Sequence, residues 1–448
     1  MTTSITRALA RAGHVWVGLY ALSAAFITYF CMYAFRKPLT AATYEGVEGW
    51  GFLLDFKIAM VIAQVLGYAA SKLIGVKVVT EASETHRPWM ILGFILTAWV
   101  GLILFAVLPG NWKIAAIFLS GLPLGMIWGL VFAYLEGRRM SEILGAGLCA
   151  SFIVSSGAVK AVGRALIVDY GLPELWMPAA TGALFLPLLA VSVWLLAQTP
   201  PPDAKDVAER VKRQPMFKPE RAAFLAVTGV GLLMLVVAYI VLTALRDFRD
   251  NFAVELWGAL GFGDTPSIFA LSELPVAGVV LVLFGLTALI KNNRSAVLTY
   301  HWMIMAGAII IAGVTFAFQA GYMDPVWWMI AVGAGVYMGY VPYNAVLADR
   351  LTAALRLPGN AAFFMYVADA SGYGGSVALM LIKNFMSLNL DWLSFFNLVC
   401  YVSAAVVLVT TFSSYLWFRF RVFRTQPAQN LEMHTISTIA APPVNQNG

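Results

Sequence analysis

Charged residues make up only 12% of this 448-residue chain, whereas soluble domains contain about 25%. Hydrophobic residues make up 60% of the chain, and the mean hydropathy is +0.79. Apolar stretches recur along most of the length, and each has about the 20 residues that a helix needs to cross a bilayer. This composition excludes a soluble globular domain and predicts an all-α integral membrane protein.

The chain also has few of the residues that carry most enzyme chemistry. Its three cysteines and four histidines are scattered, with no spacing typical of a disulfide framework or a metal site. It has no phosphate-binding glycine loop of the Walker type and no basic, aromatic stripe of the kind that binds nucleic acid. We therefore expect a protein that is not an enzyme, with no catalytic residue, no cofactor, no metal and no nucleic-acid partner.

The apolar stretches predict twelve transmembrane helices. Their predicted bounds are 15–45, 51–71, 89–108, 113–135, 143–168, 175–197, 222–256, 266–290, 298–318, 326–348, 360–383 and 394–418. They form two six-helix halves, at 1–198 and 222–424. A charged, proline-rich linker at 199–221 joins the halves, and a polar tail at 425–448 is predicted to be disordered.

Lysine and arginine lie mostly on one side of this arrangement. They are concentrated before the first span, in alternate loops and in the linker, whereas the opposite loops are acidic or neutral. Cytoplasmic loops of membrane proteins carry the excess of lysine and arginine. The distribution therefore predicts a multi-pass protein of the cell membrane (the inner membrane in a bacterium) with both termini in the cytoplasm.

One charged motif occurs twice. The pattern Tyr-x6-Arg-x8-Glu surrounds Arg36 near the end of the first span and Arg246 near the end of the seventh, 210 residues apart (246 − 36). Glycines in the fourth and tenth spans match at the same offset, for example Gly125 and Gly335. Such glycines let helices approach closely in lipid. We interpret the chain as two repeats that each offer an arginine to a shared cavity.

Several motifs are similar to those of the major facilitator superfamily, and within it to the organophosphate:phosphate antiporters. The first span ends in Tyr-Ala-Phe-Arg36-Lys37, the seventh contains Arg246-Asp-Phe-Arg-Asp250, and the eleventh contains Gly-Tyr-Gly-Gly-Ser-Val-Ala378. The resemblance covers the whole chain. It implies the major facilitator fold, with twelve helices in two six-helix pseudo-repeats, and an anionic substrate bound between the halves.

The chain departs from that family at three places. After the second span it has Gly67-Tyr-Ala-Ala-Ser-Lys72, which lacks the family's acidic residue. The lysine of the family's second helix would fall near Ala63 or Gln64, and its histidine of the fifth helix has no counterpart, although Lys160 lies there. The resemblance thus implies an anion site in a divergent member.

The two arginines lead the candidate site. Charge inside a membrane is costly, and a guanidinium binds phosphate or carboxylate bidentately, so Arg36 and Arg246 could clamp an anion. They could instead extend to the outer interface. Lys160 could face the cavity or belong to a misjudged span end. The candidate substrate-binding residues are Arg36, Arg246, Lys160, Lys37, Tyr33, Tyr337, Asn344 and Tyr373.

Acidic residues supply two further predictions. Asp369 and Asp250 are candidate charge partners of the site's cations or coupling carboxylates, and structural pairing is the alternative for Asp369. At the cytoplasmic ends of the fourth and tenth spans, ion pairs could form an inward gate, or these charges could be ordinary flanking residues. The candidate gate residues are Glu136, Arg139, Asp349 and Arg350.

Together these features predict a secondary transporter of a small anion, plausibly an organophosphate, phosphate or carboxylate, that works by alternating access as an antiporter or with protons. A transporter-like receptor that senses an anion without moving it is the alternative. We expect a monomer whose partners are the substrate and the lipid bilayer.

Overall fold

The computed structural model describes residues 4–47, 49–81, 83, 85–135, 141–201, 218–345, 347–355, 361–386 and 390–424. This described part contains fifteen α-helices. They are α1 (Ser4–Arg11), α2 (His14–Tyr33), α3 (Phe56–Thr80), α4 (Arg87–Val107), α5 (Trp112–Phe132), α6 (Ser141–Val168), α7 (Met177–Ala197), α8 (Lys218–Asn251), α9 (Ala253–Ala259), α10 (Ser267–Ala288), α11 (Asn293–Gln319), α12 (Pro325–Ala345), α13 (Leu347–Leu355), α14 (Ala361–Phe385) and α15 (Trp392–Leu416). A 3₁₀ turn (Pro38–Thr40) follows α2, and a π-helical turn (Trp417–Val422) follows α15.

Twelve of these helices have 20 or more residues, and each overlaps one predicted span. In the described part, nine helices are long and apolar enough to cross a membrane, and α12 with α13 makes a tenth if the two form one bent span. The remaining two are α3 and α14, which carry charged residues such as Lys72 and Asp369 and contact each other. An all-helical, multi-pass membrane protein is therefore confirmed, while the count of twelve spans remains a prediction.

The outer surface of the helices is apolar. Large aliphatic and aromatic side chains are more than half exposed along several long helices, including Leu184, Val282, Phe316 and Val409. A soluble protein rarely exposes so much contiguous apolar surface, whereas lipid tails accept it. The hydrophobic stretches of the sequence thus serve two purposes, because one face of each helix packs in the interior and the other faces lipid.

The helices pack as two groups with equivalent contacts. Within α2–α7, which we call the N-terminal bundle, α2 packs on α5, α6 and α7, while α3 and α4 both pack on α5. Within α8–α15, the C-terminal bundle, α8 packs on α12, α14 and α15, while α10 and α11 both pack on α12. The bundles meet mainly through α6 with α10 and α3 with α14.

Glycines allow the closest helix contacts, as their spacing predicts. A Cβ atom at Gly125 of α5 would lie 2.6 Å from the Tyr68 carbonyl oxygen on α3. A Cβ atom at Gly335 of α12 would lie 2.7 Å from the Gly307 carbonyl oxygen on α11. Neither position has room for a larger residue unless the backbone shifts, so these glycines bring the helix backbones together.

The first predicted span ends earlier than its hydropathy indicates. Its helix stops at Tyr33, and residues 34–37 form turns before the 3₁₀ helix that begins at Pro38. Proline has no backbone N–H, so Pro38 cannot donate the helical bond to the Ala34 carbonyl oxygen that a continued α2 would need. Arg36 and Lys37 consequently lie in a non-helical segment. The seventh span also breaks, at Phe252 between α8 and α9.

Successive long helices alternate in direction. The side at which α2, α6, α8 and α14 end, opposite to the N-terminal end of α2, is called the distal face below. The twelve-helix, two-repeat description and the domain bounds 1–198, 199–221, 222–424 and 425–448 remain predictions.

Candidate functional site

Arg36 extends from the turn after α2 toward α3. Its guanidinium carbon lies 4.2 Å from the centre of the Tyr68 ring, and Gln64 donates a hydrogen bond to the Arg36 carbonyl oxygen (3.2 Å). A guanidinium over an aromatic face is stabilised by the ring quadrupole. Among the described residues, no carboxylate forms an ion pair with Arg36, so its charge is free to attract an anion.

Arg246 of α8 lies in a similar aromatic setting but has a different electrostatic partner. Its guanidinium carbon lies 4.0 Å from the centre of the Tyr340 ring. The Nε and Nη2 atoms both donate to Asp247 Oδ1, at 2.9 and 2.6 Å. The other oxygen of Asp247 accepts a 2.6 Å bond from Ser376 of α14. One edge of the Arg246 fork is therefore occupied by the protein itself.

A carboxylate of α8 holds two lysines of the N-terminal bundle. Asp250 forms ion pairs with Lys37 and with Lys160 of α6, the latter with an Nζ–Oδ1 distance of 2.5 Å. Ser156 donates a further bond to Asp250 (2.6 Å), and Lys37 donates to Asn251 (3.1 Å). Both lysines are almost fully buried. One carboxylate thus neutralises two cations only in part.

A second link between the bundles joins α3 to α14. Lys72 forms an ion pair with Asp369, and Tyr239 of α8 donates a 2.6 Å bond to the same carboxylate. The Tyr239 hydroxyl lies 3.3 Å from that of Tyr340, on which Arg246 stacks. Lys72 also lies 5.2 Å from the centre of the Tyr373 ring. These contacts connect the surroundings of Arg36 and Arg246 into one polar network.

Tyrosines form most of the remaining wall. Tyr33 is buried and lies close enough to both Arg36 and Arg246 to interact with their charges. The Tyr68 and Tyr373 rings meet at 5.9 Å between α3 and α14. Tyrosine hydroxyls can donate hydrogen bonds to an anion without adding charge. The site can therefore combine permanent positive charge with neutral donors.

The distal face carries its own contacts between the bundles. Lys57 of α3 forms a buried ion pair with Glu255 of α9 (Nζ–Oε1 2.5 Å). Arg164 of α6 donates to the Gly263 carbonyl oxygen (3.0 Å), and Asn384 of α14 donates to the Leu53 carbonyl oxygen (3.1 Å). These bonds hold the bundles together on the distal side of the site. Burial raises the pKa of the Glu255 carboxyl, and Lys57 opposes that shift.

The family of the chain follows from its sequence profile. The profile of a family of unknown function (DUF5690) matches residues 38–421. The chain belongs to this family. The matched range includes every charged residue of the network described above except Arg36 and Lys37, which directly precede it. A search of curated protein sequences finds no match.

Solved structures show which fold the family has. The nucleoside transporter NupG aligns over 90% of this chain and 99% of its own, with a TM-score of 0.57 and 14% identity. The human organic anion transporter MFSD10 (TETRAN) aligns over 90% of this chain and 100% of its own, with a TM-score of 0.55 and 13% identity. This chain therefore has the fold of the major facilitator transporters. These two similar structures are transporters rather than enzymes.

The structure brings most of the predicted site residues together. Arg36, Lys37, Tyr33, Arg246 and Lys160 lie at the contact of the two bundles, rather than at the lipid surface. The same holds for Tyr373, which meets the Tyr68 ring edge to face, and for Tyr337, which contacts Phe152 of α6 with ring centres 6.3 Å apart. The side chain of Asn344 lies outside the described part.

Both predicted charge partners, Asp250 and Asp369, form ion pairs with lysines. Lys72, the partner of Asp369, was not among the candidate site residues. Asp250 pairs with Lys37 and Lys160. Asp369 pairs with Lys72, which α3 presents to α14 because this helix continues past Gly67. The second span was predicted to end at residue 71, whereas α3 extends to Thr80, so Lys72 lies within the helix.

The predicted inward gate is only partly described. Glu136 and Arg139 lie outside the described residues. Arg350 donates to Asn293 of α11 (3.0 Å), within the C-terminal bundle, and Asp349 is exposed on α13. The bond from Arg350 does not join the bundles, so the gate remains a prediction.

Several site residues were missed by sequence reasoning. They are Tyr68, Lys72, Tyr239, Asp247, Ser156 and Ser376. One signal was available for α3, because Tyr68 and Lys72 lie four residues apart and share a helix face. The pairing of Arg246 with its neighbour Asp247 had no such signal, because adjacent helical residues point in different directions.

Proposed function

We propose that this protein is a secondary transporter that carries a small anion by alternating access between the N-terminal and C-terminal bundles. This proposal rests mainly on the position of Arg36. Its permanent charge lies between the bundles, stacks on Tyr68 and has no described carboxylate partner. Buried charges are normally paired, so an unpaired guanidinium beside other cations favours an anionic ligand.

The position of the site supports a transport role. Carriers with this fold bind substrate near the membrane midplane between their halves, which then move against each other. Here Arg36 and Lys160 come from the N-terminal bundle, and Arg246 and Asp250 come from the C-terminal bundle. A ligand that contacts both sides would couple its binding to the relative position of the bundles.

The substrate class and the orientation are also part of the proposal. Guanidinium forks favour phosphate and carboxylate groups, the motifs are similar to those of organophosphate:phosphate antiporters, and the human protein of the same fold is an organic anion transporter. We place both termini in the cytoplasm. A reporter fused after Pro201 should then report cytoplasm, and one inserted at Asp324 should report the opposite side.

The test combines binding and flux. Purified protein would be screened with phosphate, phosphate monoesters and carboxylates for thermal stabilisation, and the best anion would be followed into proteoliposomes. Arg36→Lys and Arg246→Lys retain the charge but lose the fork, whereas Arg7→Lys changes an exposed arginine of α1 as the control. Each site variant should weaken binding about ten- to hundredfold, from about 1.5–3 kcal/mol per charge-assisted bond.

The outcomes separate the hypotheses. If both site variants bind and transport like the control, the anion site is not at these arginines. If the wild type binds an anion tightly but gives no flux, exchange or proton-driven uptake in liposomes, the receptor alternative is favoured instead.

A further inference from the structure

The charges of the central network are not balanced. The network contains five cations, namely Arg36, Lys37, Lys72, Lys160 and Arg246. It contains three carboxylates, Asp247, Asp250 and Asp369. All eight side chains lie between the bundles, and among the described residues the network carries a net charge of +2 (5 − 3).

The excess is concentrated on the N-terminal bundle. Asp247 neutralises Arg246, and Asp369 neutralises Lys72. Asp250 has to serve both Lys37 and Lys160. The remaining cation, Arg36, is the residue next to Lys37 in the chain, and Lys37 interacts electrostatically with both Arg36 and Lys160.

Two other buried ion pairs, which lie outside the network, are balanced. Lys57 is matched by Glu255, and Arg249 is matched by Glu273 with an Nη1–Oε1 distance of 2.7 Å. Each of these pairs has one cation and one carboxylate. Uncompensated charge in a low-dielectric interior is unfavourable, so two excess charges at one place favour a ligand that completes the balance.

We propose that the ligand of this site is a small dianion, which supplies two negative charges to the region of Arg36, Lys37 and Lys160. The inference rests on the proposed function, since it specifies the charge of the same substrate. A dianion would make the loaded interior neutral, whereas a monoanion would leave one positive charge uncompensated. Because the excess is concentrated around neighbouring residues, the two charges should lie on one group or on two groups close together. A phosphate monoester and a short dicarboxylate both meet this requirement.

The experiment compares ligands that differ by one charge. Full-length wild-type protein would be titrated at pH 8 with methyl phosphate and dimethyl phosphate, and with succinate and succinamate. At this pH a phosphate monoester carries two charges, because its second pKa is about 6. At least one dianion should bind ten- to hundredfold more tightly than its monoanionic counterpart, the range expected for one added charge-assisted contact. A larger difference in affinity between the two phosphates would identify phosphate as the source of the charge. A larger difference between succinate and succinamate would identify carboxylate.

Variants test where the charge acts. Arg36→Gln removes one positive charge, so the preference for the dianion should fall to about threefold or less, whereas the surface control Arg7→Gln should keep it. Lys160→Gln is the second variant, since its amide can still donate to Asp250, the acceptor of the Lys160 bonds, and it should reduce the preference in the same way. Thermal unfolding would confirm that each variant is folded.

The contrary results are distinct. Equal affinity of the wild type for monoanions and dianions would overturn this inference and leave the anion transporter intact. A dianion preference that persists in both folded site variants would also overturn it. If the folded wild type binds none of the four ligands, the anion site itself is refuted, and the proposed function fails with it.

Discussion

Lys57 and Glu255 form a buried ion pair that joins the two bundles at the distal face, with Nζ and Oε1 2.5 Å apart. Lys57 is on the same helix as Lys72, fifteen residues away (72 − 57), which is about 22 Å along the axis. Lys72 pairs with a different carboxylate of the C-terminal bundle, Asp369. Helix α3 is thus bonded to the opposite bundle at two depths, one on the distal face and one nearer the centre.

Breaking the distal pair should open the distal face. Removing one partner of a buried ion pair leaves the other charge uncompensated, which costs about 3–5 kcal/mol. Glu255→Leu should therefore shift the bundles apart on that side. Spin labels at Asn111 and Tyr322, which are exposed on distal turns of the two bundles, would report a longer and broader distance distribution.

The matched control replaces both partners. Burial raises the pKa of Glu255 despite the adjacent Lys57, so the attraction offsets only part of the desolvation cost. Apolar replacement of a whole buried pair is often neutral. Lys57→Met combined with Glu255→Leu should restore a distance distribution close to that of the wild type. A double variant as open as Glu255→Leu would contradict a role for this pair in closure.

Removing the charge of Asp369 should separate binding from transport. Asp369→Asn adds one unit of net positive charge to the network and weakens the link between α3 and α14. The affinity for a dianion should rise up to about tenfold, from one favourable charge interaction of about 1.4 kcal/mol. Under the proposed alternating access the maximal transport rate should fall, because the variant weakens a contact between the bundles. Titration and liposome flux would measure the two effects separately.

Asp324→Asn is a suitable control for that variant. Asp324 is exposed at the start of α12, where it accepts a 2.8 Å bond from the Val326 backbone N–H. Asparagine is an equally good residue at a helix N-terminus. Binding and flux should be unchanged in the control, and a reduced dianion affinity in Asp369→Asn would argue against the charge count given above.

The sequence predicted the helices well because their signal is local. A membrane span requires about 20 apolar residues wherever it lies in the fold, and each predicted stretch overlaps a long helix. The end of α2 was missed because hydropathy does not register a proline, and Pro38 has no backbone N–H with which to continue the helix. The true boundary decides that Arg36 and Lys37 lie in a turn.

The residues of the site were predictable, but their pairing was not. A charge in an apolar stretch is conspicuous, which is why Arg36, Lys160 and Asp369 could be selected. Their partners depend on which helices pack against each other, and helix packing cannot be read from the sequence alone. The repeat was also misleading in one respect, because its two glutamates differ in the structure, with Glu45 exposed and Glu255 buried against Lys57.

Replacing Asp247 should rescue anion binding in a variant of Arg246 but much less in a variant of Arg36. Arg246→Gln leaves Asp247 without its cation, so the freed negative charge should repel an anion and lower its affinity by one to two orders of magnitude, using about 1.5–3 kcal/mol for a charged hydrogen bond. Adding Asp247→Asn should restore the part of the loss that is due to the freed negative charge. The same addition should rescue Arg36→Gln much less, since Arg36 has no described carboxylate partner. Isothermal titration of the wild type, the three single variants and the two double variants forms the double-mutant cycles, and equal rescue in both would refute this asymmetry.

The Tyr68 ring should hold the Arg36 guanidinium in place for anion binding. The guanidinium carbon lies 4.2 Å from the Tyr68 ring centre, and such contacts are worth about 0.5–2 kcal/mol. Tyr68→Phe keeps the ring and should retain anion affinity within about threefold. Tyr68→Leu keeps apolar volume but loses the ring, so affinity should fall about three- to thirtyfold as Arg36 loses its fixed position. Phe30→Leu, which changes a partly buried ring elsewhere in the N-terminal bundle, controls for general loss of packing. If Tyr68→Phe weakens binding as much as Tyr68→Leu, the hydroxyl rather than the ring face is what the anion site requires.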